Sequence, residues 1–229
     1  KQLIMDAKRL DIEVLPPRLQ HLYTNFTRHL EKDIIYFGLR HIKHVGIKEC
    51  EKLKELKNRV DISKYSWMDS LVGIIYELNL NKRASISLIS VGAFNGENNT
   101  TSRQQMLYEF DSWKQLSARE QKAIADNHKG KNSELHADNL AACIDHMITT
   151  IKVNSRRLIM VVDIKKSLEN PFYDLNDRAV TIATDEEKYM SCSLTCDKID
   201  GLEINVSISM CKDLANGTIT GKANLAVQI

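Results

Sequence analysis

Apolar and polar residues alternate along the last fifth of the chain. Met190, Cys192, Leu194 and Cys196 are separated by Ser191, Ser193 and Thr195; Leu202, Ile204, Val206, Ile208 and Met210 by Glu203, Asn205, Ser207 and Ser209; Ala223, Leu225, Val227 and Ile229 by Asn224, Ala226 and Gln228. Period two in three successive runs predicts three strands, each with one face on a core. The turn residues agree with that pattern. A loop of Ile199, Asp200 and Gly201 pairs Cys196 with Ile204 and Leu194 with Val206, while a two-residue Asn216-Gly217 turn of type I′ pairs Met210 with Ala223 and Ile208 with Leu225. The outer face of this meander, with Ser191, Thr195, Asn205, Ser207, Thr218 and Asn224, is polar and uncharged. It reads first as a solvated sheet face and second as a platform for a partner chain or a second copy. Only Tyr189 could stack on a base there, which disfavours a single-stranded nucleic-acid platform.

Ahead of the meander the spacing is mainly helical. Leu3, Ile4, Ala7 and Leu10 suit a short opening helix that Pro16-Pro17 ends. Leu19, Leu22, Tyr23, Phe26 and Leu30 follow with the spacing of an amphipathic helix continuing through Ile34, Ile35 and Phe37. A Lys/Glu-rich helix is predicted over 47–59, anchored by Leu53 and Leu56, and another over 67–78, capped by Ser66. Residues 85–94 fit either a strand or a helix, and 95–101 form a loop. Thr101 or Ser102 then caps a helix carrying Met106, Leu107, Phe110 and Trp113.

Ser117 and Glu120 match a capping box, and Asn132 or Ser133 opens a last helix carrying Leu140, Cys143, Ile144 and Met147. The apolar run Leu158, Ile159, Met160, Val161 and Val162 reads as a buried strand, and Val180 and Ile182 as a short one. The expected architecture is α+β: a mainly helical part over 1–153 packed on an antiparallel β part over 154–229, in one continuous core.

Composition narrows the class without choosing a function. With 43% hydrophobic and 27% charged residues in a chain of 229, the protein reads as an ordinary globular domain. No apolar run approaches a membrane span and the start lacks a signal-peptide core, so a cytoplasmic location is expected. Five cysteines, an odd number, fit a reducing compartment. The small positive net charge conceals an asymmetry, because residues 1–60 hold 13 Lys/Arg against 8 Asp/Glu while the remainder is acidic.

Two sets of residues suggest chemistry. Arg40, Lys43, His44 and Lys48 form a basic cluster suited to phosphate contacts, with His41, Lys52, Lys54, Lys57 and Arg59 close in sequence. Glu49, Glu51 and Glu55 dilute that field, so a solvated helix face is the competing reading. Asp163-Ile164-Lys165, following the predicted strand, resembles the (D/E)-x-K half-motif of the PD-(D/E)xK nuclease superfamily. That resemblance implies Mg²⁺ held by two carboxylates, with Asp145 as the first and Glu134 as a helical third, and a lysine that orients the attacking water. Histidines 41 and 44, and 128, 136 and 146, fit no closed metal site. No phosphate-cradling or nucleophile motif is present. Residues 85–105 could house a helix-turn-helix, which Gly92 and the Asn-rich loop fit poorly.

The leading expectation is therefore a non-enzymatic regulatory or interaction protein without a cofactor. Its basic helical part binds a partner, nucleic acid among the candidates, and its sheet stabilises that part or mediates self-association. The alternative is a Mg²⁺-dependent nuclease using Asp145, Asp163 and Lys165.

Overall fold

A computed structural model describes residues 2–129 and 139–200. The chain opens with α1 (Gln2–Arg9), followed by β1 (Glu13–Leu15), β2 (Thr27–Arg28) and β3 (Ile34–Tyr36). These strands make a small mixed sheet in the order β1-β3-β2. Val14 lies opposite Ile35 in the parallel pair, and Thr27 opposite Tyr36 in the antiparallel pair. The amphipathic helix expected over 19–37 is absent. Only a 3-10 turn forms, Leu19–His21, preceded by Arg18, whose side chain caps nothing, and Leu30 stands 95% exposed. The β-branched pair Ile34-Ile35 goes to the sheet instead, as its stiff side chains favour.

From residue 39 onward the described chain is helical. A 3-10 turn (Leu39–His41) leads through residues 42–46 to α2 (Ile47–Arg59), whose Cys50, Leu53 and Leu56 are buried. Next comes α3 (Trp67–Asp69), opened by a full capping box in which Ser66 and Asp69 exchange side-chain-to-backbone hydrogen bonds. It widens into a π-helix over Ser70–Tyr76. There follow α4 (Lys82–Ser90), α5 (Arg103–Gln115), α6 (Ala118–Lys129), α7 (Leu140–Thr150), α8 (Ser155–Glu169) and α9 (Ala179–Met190). Their starts are written in the sequence. Asn81, Ser102, Asn139 and Asn154 each accept the backbone N–H three residues on.

One core runs through these helices. Trp67, Met68, Leu71 and Ile74 meet Leu88, Phe94, Met106, Phe110 and Trp113, and Ile144, Met147, Val161 and Ile164 extend the cluster. Each such side chain removed from water contributes roughly 1.5–3 kcal/mol. The buried Glu109 carboxylate is paired there: Trp67 Nε1 donates to its Oε2 at 3.0 Å and Gln105 Nε2 to its Oε1 at 3.0 Å. Burial nonetheless pushes the Glu109 carboxyl upward, against those hydrogen bonds.

The C-terminal antiparallel sheet is overturned. The run read as a buried strand, 157–164, lies inside α8, which presents Val161 and Ile164 to the core and leaves Ile159 and Met160 exposed. Val180 and Ile182 belong to α9. In the first predicted meander strand, Met190 ends α9, Ser191 takes a left-handed turn at φ 64° and 192–196 is a loop. That loop wraps a buried carboxylate: Glu186 accepts the amides of Leu194 at 2.7 Å and Thr195 at 2.9 Å, together with the Thr195 hydroxyl. Alternation there is real, since Met190 and Cys192 are buried, but the polar Ser193 and Thr195 turn to the Glu186 carboxylate rather than to a neighbouring strand. The second and third predicted strands and the Asn216-Gly217 turn lie outside the described residues, as do the helix openers Asn132 and Ser133. The architecture is mostly helical with one small N-terminal mixed sheet, in place of the α+β arrangement expected from the tail.

Candidate nucleic-acid interface

Two helix-turn units repeat between residues 39 and 90. In the first, the 3-10 turn Leu39–His41 and α2 are joined by Ile42, Lys43, His44, Val45 and Gly46. Leu39, Ile42 and Val45 are buried under the turn, so Arg40, Lys43, His44, Gly46 and Lys48 are turned outward. In the second, the π-helix and α4 are joined by residues 77–81, with Asn79 at φ 47° and Asn81 capping α4. The two are locked together. Lys52 of α2 donates to the carbonyls of Leu78 at 2.7 Å and Asn79 at 3.2 Å, and Asn81 Nδ2 donates to Glu49 Oε1 at 2.7 Å.

The first turn is held at a fixed height by Gly38. A Cβ there would come within 2.5 Å of the Asn25 carbonyl carbon and 2.6 Å of the Phe26 nitrogen. Only glycine lets the 3-10 turn dock so closely that Leu39 and Arg40 donate their amides to the carbonyls of Tyr23 and Thr24, at 2.8 and 3.0 Å. His44 adopts φ 69°, a left-handed conformation costly for a side chain with a Cβ.

Electrostatically the two turns differ. Asn81 directs its side-chain oxygen to the first amides of α4, whereas no side chain caps α2. The first amide bonded within α2 is Cys50 N, to Gly46 O at 3.1 Å. The amides of Ile47, Lys48 and Glu49 precede it at the positive end of a 13-residue helix, where an anion is favoured. Glu49 is the one acid in that first turn, and its Oε1 is engaged by Asn81.

The basic cluster separates by role. Lys52 clasps the second turn; Lys57 donates to Gln20 O at 3.2 Å and sits 4.4 Å over the Tyr23 ring, with its pKa lowered by burial. Arg40, Lys43 and Lys48 are exposed, and among the described residues none of them enters an ion pair. They, with His44, are the predicted phosphate-contacting residues, and the fold places them round one turn. What sequence reading missed was the turn itself. The signal was present as Gly38 and Gly46 flanking a short apolar trio, Leu39, Ile42 and Val45.

The nuclease residues fall elsewhere. Asp145 is on α7, and Asp163 and Lys165 are on α8. The fold brings Lys165 to Asp145, Nζ to Oδ2 at 2.7 Å, and to Glu169 at 3.3 Å. These partners raise the lysine's pKa, the Asp145 hydrogen bond most. Asp163, two positions away on the helix, points to another side and lines a shallow depression with Met160 and Ser167. Glu134 lies outside the described residues. Among the described residues no group of three His, Cys, Asp or Glu side chains could hold a metal ion, and no helix is long and apolar enough to cross a membrane. The helix-turn-helix considered for 85–105 is two largely buried helices, α4 and α5, so neither is free to enter a groove.

Comparison with known proteins bears on these turns. Residues 11–106 match the model of the helix-hairpin-helix motif. The chain is also similar to DNA polymerase III subunit alpha of Campylobacter jejuni, 34% identical over 94 residues, which is 40% of this chain. That stretch spans 8% of the relative's length.

Proposed function

We propose that the chain is a DNA-binding module that grips the sugar-phosphate backbone at the first helix-turn unit, with the second unit fixing its orientation. The observation that carries this reading is the uncapped start of α2 set among Arg40, Lys43 and Lys48, cations left free of ion pairs among the described residues, with the exposed His44 beside them. A phosphate placed there would take the amides after Gly46 and the surrounding ammonium and guanidinium groups without displacing any internal salt bridge. Such contacts supply affinity and register but no sequence choice. A module of this kind suits a place inside a larger DNA-handling protein, which the partial match to a polymerase subunit supports.

The test is fluorescence anisotropy with a labelled duplex across a salt series. Binding should weaken linearly in log Kd against log salt, and Lys43→Glu with Lys48→Glu should weaken it by about tenfold or more at low salt. Wild-type protein that fails to bind, or binding indifferent to both substitutions, would refute the assignment.

A further inference from the structure

We infer that the C-terminal end of α9 completes this interface, with Lys188 as a further phosphate-contacting residue and Tyr189 as the positioning residue behind the hairpin; the inference rests on the DNA-binding reading above. Residues 188 and 189 lie well beyond the matched segment 11–106, yet they meet its exposed turn directly. Lys43 N donates to the Tyr189 carbonyl at 2.8 Å. The edge of the His44 ring faces the Tyr189 ring at 6.4 Å between centroids, interplanar angle 68°. Lys188 Nζ sits 4.8 Å from the centroid of the same tyrosine.

Three features make this more than a chance touch. A non-glycine residue in the left-handed region persists only where its surroundings over-determine it; the Tyr189 ring packs on His44, the strained residue of the turn, and the Tyr189 carbonyl holds Lys43 just before it. The end of α9 is itself fixed, because Glu186, one turn earlier, is bonded to Arg103 at 2.9 Å and to the loop that follows. Finally, the cations near this end are divided by use. Lys198 is committed to Glu187 at 2.6 Å, whereas Lys188 is exposed and in no ion pair among the described residues. The Tyr189 side chain and the charge of Asp185 thus hold an exposed ammonium group beside the turn that presents Lys43 and His44, which adds a cation from a second segment, far away in sequence, to that surface.

The partner is the backbone of double-stranded DNA, and the full chain is the material for the test. Duplex binding is measured over a salt series for wild type, Lys188→Ala, Lys188→Glu, Tyr189→Leu, and Lys166→Ala as a control on the exposed side of α8. If Lys188 neutralises a phosphate, Lys188→Ala lowers the slope of log K against log salt by about one and weakens binding several-fold, Lys188→Glu weakens it further, and the control changes neither. Tyr189→Leu, which keeps the backbone carbonyl but removes the ring, should reduce affinity with a smaller change in slope than Lys188→Ala. Wild-type affinity and slope in Lys188→Ala, alongside a clear loss in Lys48→Glu, would overturn this inference and leave the parent reading standing. Absence of binding by wild type would remove both, and tighter binding to RNA of equal length would overturn the assignment to DNA.

Discussion

Arg103 and Glu186 form an ion pair of 2.9 Å with side chains 3% and 0% exposed. Arg103 begins α5, Glu186 lies within α9, and the arginine also donates to Ser90 O at 3.1 Å and Thr195 Oγ1 at 3.1 Å. Three helices, α4 through Ser90, α5 and α9, and a loop therefore meet at one buried charge pair. Removing one partner strands the other without water, which costs about 3–5 kcal/mol. Glu186→Ala should show that loss in urea unfolding, and the double variant Arg103→Met with Glu186→Leu should recover part of it. A loss below about 1 kcal/mol in the single variant would contradict a buried, fully used pair.

Asp69 gives a pH dependence. Burial would raise its carboxyl, but His128 Nε2 at 2.8 Å and the Ser66 amide and hydroxyl more than offset it and hold the pKa at about 2. A depressed carboxylate contributes stability above its unfolded pKa, and that contribution is lost as pH falls from about 4 to the folded value. The side chain is 41% exposed, so solvent screening reduces the effect to about 1 kcal/mol. Asp69→Asn should be less stable than wild type by that amount at pH 7, and chemical denaturation should show the gap closing as pH falls toward 2.

Gly38 admits no side chain. With the Asn25 and Phe26 backbone within 2.5–2.8 Å of a built Cβ, Gly38→Ala must push the 3-10 turn away from its support at a cost of about 1–3 kcal/mol. Thermal unfolding should report a lowered Tm. DNA affinity should fall as well, since the displaced turn carries Arg40 and Lys43.

Cys143 is buried against the core and its thiol is pushed up to about 12 by burial, then by the charge of Glu109. Thiolate is the reactive form. Peptide-resolved alkylation at pH 8 should therefore label Cys143 at least about a hundredfold more slowly in the native protein than after unfolding. Rapid native labelling would show that α7 opens.

What the sequence disclosed were beginnings of helices, because a cap is a local exchange between neighbours. Ser66, Ser117 with Glu120, and Ser102 all open helices as expected, and α2 runs over Ile47–Arg59 as predicted. Apolar runs without a visible cap were misleading. Leu158 to Val162 suits a strand until Asn154 is seen to take the Arg157 amide and Val161 and Ile164 to face inward one turn apart. Alternation from Met190 to Cys196 was equally ambiguous, because its meaning depends on Glu186, which no period reveals. Of the candidate interface, Arg40, Lys43, His44 and Lys48 were legible as a cluster, while the turn that displays them and the brace from Tyr189 depend on long-range packing.

The π-helix over Ser70–Tyr76 also has a bearing on how the chain tolerates changes of length. Its widened turns, with Glu77 N bonded to Val72 O five residues back, hold a surplus residue relative to an α-helix. Deleting one residue within 70–76 would tighten the segment into ordinary α geometry and leave α4 facing as before. The same deletion within α2 would swing everything downstream by about 100°, so the π segment acts as slack where α2 has none.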